Sequence, residues 1–302
     1  MMQRERTTQT GTTEEVLEYY SKNWTAIAGC YELDDDGLPV DPAWYRRRLY
    51  NEFLAHTEPA TVLDIGCGGG WTVLDALTHG LDATGIEPVA ELRQAGQALL
   101  AGRGHDPERI KAGDLGNISS YPSASYDCTA LLSVLPHVPR DRWDEIHRDI
   151  VRVLRPGGQF VAAYRNELFD LYTFNSFTME YYDRTLWKGV PTDPTSGARL
   201  EKLKGLIAYP DLPGPYHTNA ADQSFGQLSR EKSNPLTMPS YLRQFGLETR
   251  RMRFYHFHSV PPLAKDVVKN YRLSNHKLDL ELADDWRGHF MAAMFVVEAV
   301  VR

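Results

Sequence analysis

Thr61-Val-Leu-Asp-Ile-Gly-Cys-Gly-Gly-Gly-Trp71 decides how this chain folds. Val62, Leu63 and Ile65 form a short apolar run with β-branched members, the composition of a buried parallel strand. Gly66 and Gly68 to Gly70 follow at once, and 71–77 then has helical spacing. The stretch predicts strand, tight turn and helix. Glycine suits such a turn because the backbone must take special dihedrals and let a ligand lie against it. The first amides of the helix point at that ligand. A strand–glycine–helix unit alone also suits a dinucleotide. The spacing Asp64-x-Gly66-x-Gly68-x-Gly70 argues otherwise, since a carboxylate repels a pyrophosphate and attracts an ammonium group.

Working outward, residues 81–87 read as a second short strand ending in Glu87, followed by Pro88. Glu87 lies 23 residues beyond Asp64, where a carboxylate can accept hydrogen bonds from ribose hydroxyls. That step is shared with nicotinamide-binding folds and does not separate the two. A helix over 90–100 leads to a third strand, 109–115, that closes on Asp114 and Leu115. Residues 126–138 give a fourth strand with its exit loop. Leu132 and Ser133 stand at its carboxyl end, which faces the ligand crevice in open α/β sheets. His137 in that loop is read two ways, as a general base or as a histidine bridging backbone groups. A helix over 141–153 and the turn Arg155-Pro-Gly-Gly158 then lead into a fifth strand.

These motifs, in this order and spacing over residues 61–164, resemble the class I S-adenosylmethionine (SAM) methyltransferases. The resemblance implies an α/β fold: a seven-stranded, mostly parallel Rossmann-like sheet with helices on both faces. Its seventh strand runs antiparallel between the fifth and sixth. The resemblance also implies SAM as cofactor. The loop of Asp64, Gly66, Cys67 and Gly68 would pack on the methionine part, Glu87 and Pro88 on the ribose, Asp114 and Leu115 on the adenine. Leu132, Ser133 and Val134 would flank the cofactor, and His137 matches the family's histidine after the fourth strand. Pro136 departs from the acidic residue more common there.

Around this core, 59–165, the chain divides into a polar tail, 1–13, expected to be disordered, and an N-terminal helical cap, 14–58. The cap's helices, 14–24 and 42–56, carry a run of aromatics. They pack on the sheet or cover the cofactor, whose sulfonium an aromatic face attracts; Tyr20 and Arg48 are the candidates. After the fifth strand, an insertion over 166–236 is expected to fold over the crevice as a lid. Tyr164, Arg165 and Asn166 stand where substrate should lie. Tyr164 is a candidate catalytic group, and Arg165 pairs either with a substrate anion or with Glu167 or Asp170. Tyr181 belongs to an aromatic run that lines a substrate pocket or packs a lid helix. In the C-terminal part, 237–302, residues 247–258 alternate as a sixth strand. His256 and His258 share one face there, the first as a substrate contact and the second as a catalytic candidate. A two-histidine metal site lacks a local third ligand, so no metal is expected. The apolar run 290–301 suits a buried last strand. The long segment between these two strands could serve a homo-oligomer.

Bulk properties narrow the function. A net charge of −7 argues against a nucleic-acid backbone as partner. No apolar stretch is long enough to span a bilayer. The three cysteines, Cys30, Cys67 and Cys128, form no metal-like cluster, and the chain is expected in the reduced cytoplasm. The expected activity is SAM-dependent methylation of a small molecule, at O, N or C, such as one of secondary metabolism. The rival readings are a non-catalytic SAM-fold scaffold and a nicotinamide-dependent oxidoreductase.

Overall fold

A computed structural model describes residues 13–187 and 231–302. The expected tail, but for its last residue, and residues 188–230 of the expected lid lie outside the described residues. The strands are β1 (Thr61–Ile65), β2 (Asp82–Glu87), β3 (Ile110–Ala112), β4 (Tyr126–Leu132), β5 (Leu154–Arg165), β6 (Leu247–Phe257) and β7 (Ala292–Val301). They form one sheet of order β3-β2-β1-β4-β5-β7-β6. β1 to β5 pair in parallel, while β7 is antiparallel to both β5 and β6. β6 therefore runs parallel to β5, and its carboxyl end falls on the same edge of the sheet. The reversal of strand order on either side of β1 opens the crevice at that edge.

The helices are α1 (Thr13–Lys22), α2 (Trp24–Ala28), α3 (Ala43–Thr57), α4 (Trp71–Thr78), α5 (Ala90–Gly102) and α6 (Trp143–Val153). They continue with α7 (Asp170–Thr173), α8 (Ser176–Tyr181), α9 (Met238–Arg243), α10 (Tyr271–Glu281) and α11 (Gly288–Met291). α6 buries Trp143, Ile146, His147, Ile150 and Val153, a stripe at helical spacing. It covers one sheet face, where Leu63, Ile65, Phe160, Tyr164, Phe254 and Phe295 form the core. α3 covers the other face with Tyr45, Leu49, Tyr50 and Phe53, which meet Val62, Leu132, Ala163, Tyr255 and Val296. Strand alternation thus sorts neighbours to opposite sides. Each such fully buried large side chain stabilises the fold by about 1.5–3 kcal/mol.

Register shifts interrupt the alternation at Tyr126/Cys128 of β4 and Thr249/Arg251 of β6, and it fails again at the end of β6. Tyr255 belongs to the α3 side, while Phe254 and Phe257 both belong to the α6 side. His256 between them has φ 62°, a left-handed backbone at a residue with a side chain. Asp279 of α10 holds this kink, accepting hydrogen bonds from the Phe257 and His256 amides. Burial pushes the Asp279 carboxyl up to about 8. The expected simple alternation over 247–258 therefore stops two residues early.

Candidate active site

The glycine turn sits at the centre of the crevice, between the ends of β2 and β4. Gly66 has φ 72°, and a Cβ there would come within 2.5 Å of Val134 Cγ2. Glycine is what lets the turn close against the β4 exit loop. Gly68 has φ 55° with no atom within 4 Å of a built Cβ, so its face is open to a ligand. Asp64 is buried and accepts from the Thr72 hydroxyl of α4, and burial raises its pKa to about 7. Cys67 is buried behind the turn, where desolvation holds its thiol protonated.

At the end of β2, Glu87 accepts from the Gly68 amide at 2.8 Å and from the Val89 amide at 3.0 Å. Burial raises its pKa, against those two bonds. A groove of about 570 Å³ runs from Pro88, Val89 and Glu91 to Leu17, Glu18 and Ser21 of α1. Asp114 caps the turn over 115–120 by accepting from the Gly116 amide at 2.8 Å, and its carboxylate stands in solvent next to Leu115.

On the β4 side, Ser133 takes a left-handed φ of 66°, and its hydroxyl accepts from Arg46 at 2.8 Å. The same guanidinium donates to Tyr31 at 3.0 Å, and the Tyr255 hydroxyl lies 3.4 Å from that of Ser133. Arg46 is thus a half-buried cation held by hydroxyls, and its buried Nε has no hydrogen-bond partner. Among the described residues no carboxylate forms an ion pair with it. Sequence reasoning missed Arg46 and named Arg48, which pairs with Glu52 on α3 at 2.9 Å instead. Nothing in the run Arg46-Arg-Arg48 marks which of the three turns inward.

Tyr20 reaches the crevice from α1. Its hydroxyl lies 2.9 Å from His137 Nε2, with the rings edge to face at 5.4 Å. Burial, with Arg165 nearby, lowers the His137 pKa to about 3, so the imidazole is neutral. Arg165 shares the sheet face of Ala163, the α3 side. Glu167 pairs with Arg184 at 2.9 Å and Asp170 with Lys232 at 2.6 Å, and the Arg165 charge also acts on Asp170.

Three expected site residues pack into the core rather than the crevice. Tyr164 falls on the α6 side by alternation, stacks on Phe295, and lies 3.3 Å from His147 Nε2. His258 is buried beyond the kink in β6, with Nδ1 2.5 Å from the Tyr271 hydroxyl and its ring against Phe169. Asn166 donates to the carbonyls of Gly288, His289 and Ala292 and accepts from the Leu168 amide, tying α11 to the end of β5. Tyr181 is buried on α8. His256 is half-buried, with its ring 4.8 Å from that of His258. Among the described residues no three metal-ligating side chains cluster.

These groups fit a ligand with an amino-acid end and a nucleoside end. Glu87 offers carboxylate oxygens to a pair of hydroxyls, Gly68 leaves space, Asp64 complements an ammonium, and Arg46 has an unspent donor for a carboxylate. A methyltransferase-domain family model matches residues 63–162. A ubiquinone biosynthesis O-methyltransferase of Paraburkholderia phymatum is 31% identical over 201 residues, 65% of this chain and 75% of that protein. A sterol 4-C-methyltransferase of Caenorhabditis elegans is 30% identical over 112 residues, and this chain spans only 33% of its length. The magnesium protoporphyrin IX methyltransferase of Synechocystis, solved with S-adenosylhomocysteine, superposes with a TM-score of 0.55 at 12% identity. That match covers 96% of this chain and all of that one, and it speaks for the fold. On its motifs, its sheet order and these relatives, the chain belongs to the class I SAM-dependent methyltransferases.

Proposed function

We propose that this chain transfers the methyl group of SAM to a small-molecule acceptor held over the carboxyl ends of β4 and β5. The observation that carries the cofactor half is the convergence of Glu87, the open Gly68 and Arg46, whose charge reaches Asp64, on one turn. The cofactor supplies an activated methyl on a sulfonium, already a good leaving group. The residues of the chain fix its two ends. Glu87 meets the ribose hydroxyls and Arg46 the methionine carboxylate, with Asp64 beside the ammonium. Holding both ends sets the direction along which the acceptor must approach, and alignment is the main contribution the protein makes to such a displacement.

The acceptor side is lined by Tyr20, His137 and Arg165. His137 stays neutral and desolvated, so it is suited to accept a hydrogen bond rather than to hold a proton through the reaction. Arg165 adds a positive charge, which favours an acceptor that brings an anionic group. The names of the relatives, a ubiquinone-pathway O-methyltransferase and a sterol C-methyltransferase, support small molecules as the acceptor class. The acidic net charge of −7 supports it too.

The test is transfer of label from methyl-tritiated SAM into separate small-molecule, protein and nucleic-acid fractions of a cell extract. Label in the small-molecule fraction, with stoichiometric S-adenosylhomocysteine, is expected. Label confined to protein or nucleic acid would overturn the acceptor class.

A further inference from the structure

Tyr20 and His137 are 117 residues apart, yet their side chains meet at 2.9 Å. The sheet order explains what lies beneath that contact. β2 and β4 flank β1 on either side. α1 rests on the start of α5, the helix that follows β2, and lines a groove with Pro88 and Val89. His137 lies just beyond β4. A link from α1 to His137 therefore crosses over the end of β1, directly above the glycine turn. The charges of both Arg46 and Glu87 act on Tyr20, so its hydroxyl stands in the same crevice as those two groups.

We infer that His137 is a positioning residue for Tyr20, and that the pair latches α1 across the cofactor crevice and sets how long the cofactor stays. Both partners suit the task. Burial raises the Tyr20 pKa and lowers that of His137, so a phenol donates to a neutral imidazole with no charge to shed. Nε2 accepts when Nδ1 carries the proton. The contact joins a helix near the chain start to the rigid edge of the sheet, so breaking it frees α1 without disturbing the core. The inference rests on the crevice being the cofactor site.

Release of tritiated S-adenosylhomocysteine after dilution, by filter binding, tests it. Tyr20→Phe and His137→Leu should each speed release about tenfold, the worth of one buried hydrogen bond. The double variant should be no faster than either single one, because both remove the same bond. His137→Gln, whose amide oxygen can take the place of Nε2, should restore slow release. Additive effects, or release unchanged in Tyr20→Phe, would overturn the latch. Amide exchange of 13–22 without ligand supplies a second readout. Exchange there should rise in Tyr20→Phe, and unchanged exchange counts against the latch. If wild-type protein binds no S-adenosylhomocysteine while Tyr20→Phe still frees 13–22, the cofactor assignment fails and the contact between α1 and His137 stands.

Discussion

Arg46 is a half-buried cation whose hydrogen-bond partners are hydroxyls rather than carboxylates, with Asp64 near enough to feel its charge. Ser133 and Tyr31 satisfy two of its donors, and Nε stays unpaired. Such a group costs stability in the free protein and returns it when an anion arrives. Arg46→Gln should therefore weaken S-adenosylhomocysteine binding by about 1.5–3 kcal/mol, the range for a charged hydrogen bond. The melting temperature of the ligand-free protein should change little. Calorimetric affinities that match wild type would remove Arg46 from the site. Asp64 carries the opposite tension. Its folded pKa of about 7 lies above the ordinary aspartate value of 3.8, so the folded protein binds a proton that the unfolded chain releases. That contribution is fully present below about pH 4 and is lost as pH rises through 7. Asp64→Asn, which keeps an acceptor for Thr72, should remove the loss. The melting temperature of the variant should gain on wild type between pH 5 and 8 by several degrees, at roughly 2–4 °C per kcal/mol. A gap that narrows with rising pH would contradict the burial of a reluctant carboxyl.

The helix that carries Arg46 is held by its neighbour in sequence. Arg47 makes two 2.7 Å bonds to Asp75 of α4, Asn51 adds a third at 2.8 Å, and the Arg47 guanidinium lies 4.5 Å from the Trp71 ring centre. Asp75 is buried and Arg47 half-buried, so removing Asp75 leaves a partly desolvated guanidinium behind. Asp75→Ala should cost about 3 kcal/mol, the lower range for breaking a buried pair. Asp75→Asn, which keeps one acceptor, should cost less. Equal melting temperatures for Asp75→Ala and wild type would mean the clamp is solvated and weak. Legibility in the sequence follows the same lines of force. β1, α4, β2 and β7 can be read directly, because apolar runs, glycines and strand-end acids are local signals. α6 shows its stripe at the spacing of its own period. Which arginine of three enters the crevice cannot be read, because it depends on how α3 docks against α4. The kink at His256 is equally hidden, since it is imposed by Asp279, distant in sequence, on a residue type that gives no warning.

Across the molecule, the two halves of the crevice differ in how much they declare. The cofactor half binds one ligand of fixed chemistry, so its parts must be glycines and carboxylates at set places, and the motifs record them. The acceptor half has to align a nucleophile and exclude water, tasks that any well-placed surface can perform. Tyr164 and His258 looked catalytic, and Asn166 looked like a substrate contact, because of type and position along a strand. Alternation, the kink and the docking of α11 turn them to the core instead. The cofactor half is also where the free protein is least content, with Asp64 buried, the Arg46 Nε without a hydrogen-bond partner and Glu87 occupied by the turn's own amide. Ligand binding should relieve all three and stabilise the whole fold by mass action. At a hundred times its dissociation constant, S-adenosylhomocysteine should add about 2.7 kcal/mol and raise the melting temperature by about 5–10 °C. Glu87→Ala should lose most of that rise at the same ligand concentration, since two ribose hydroxyls lose their acceptor. Scanning fluorimetry with and without ligand reads both numbers. A full upshift retained by Glu87→Ala would mean the ribose docks elsewhere, and the assignment of the β2 end would have to be withdrawn.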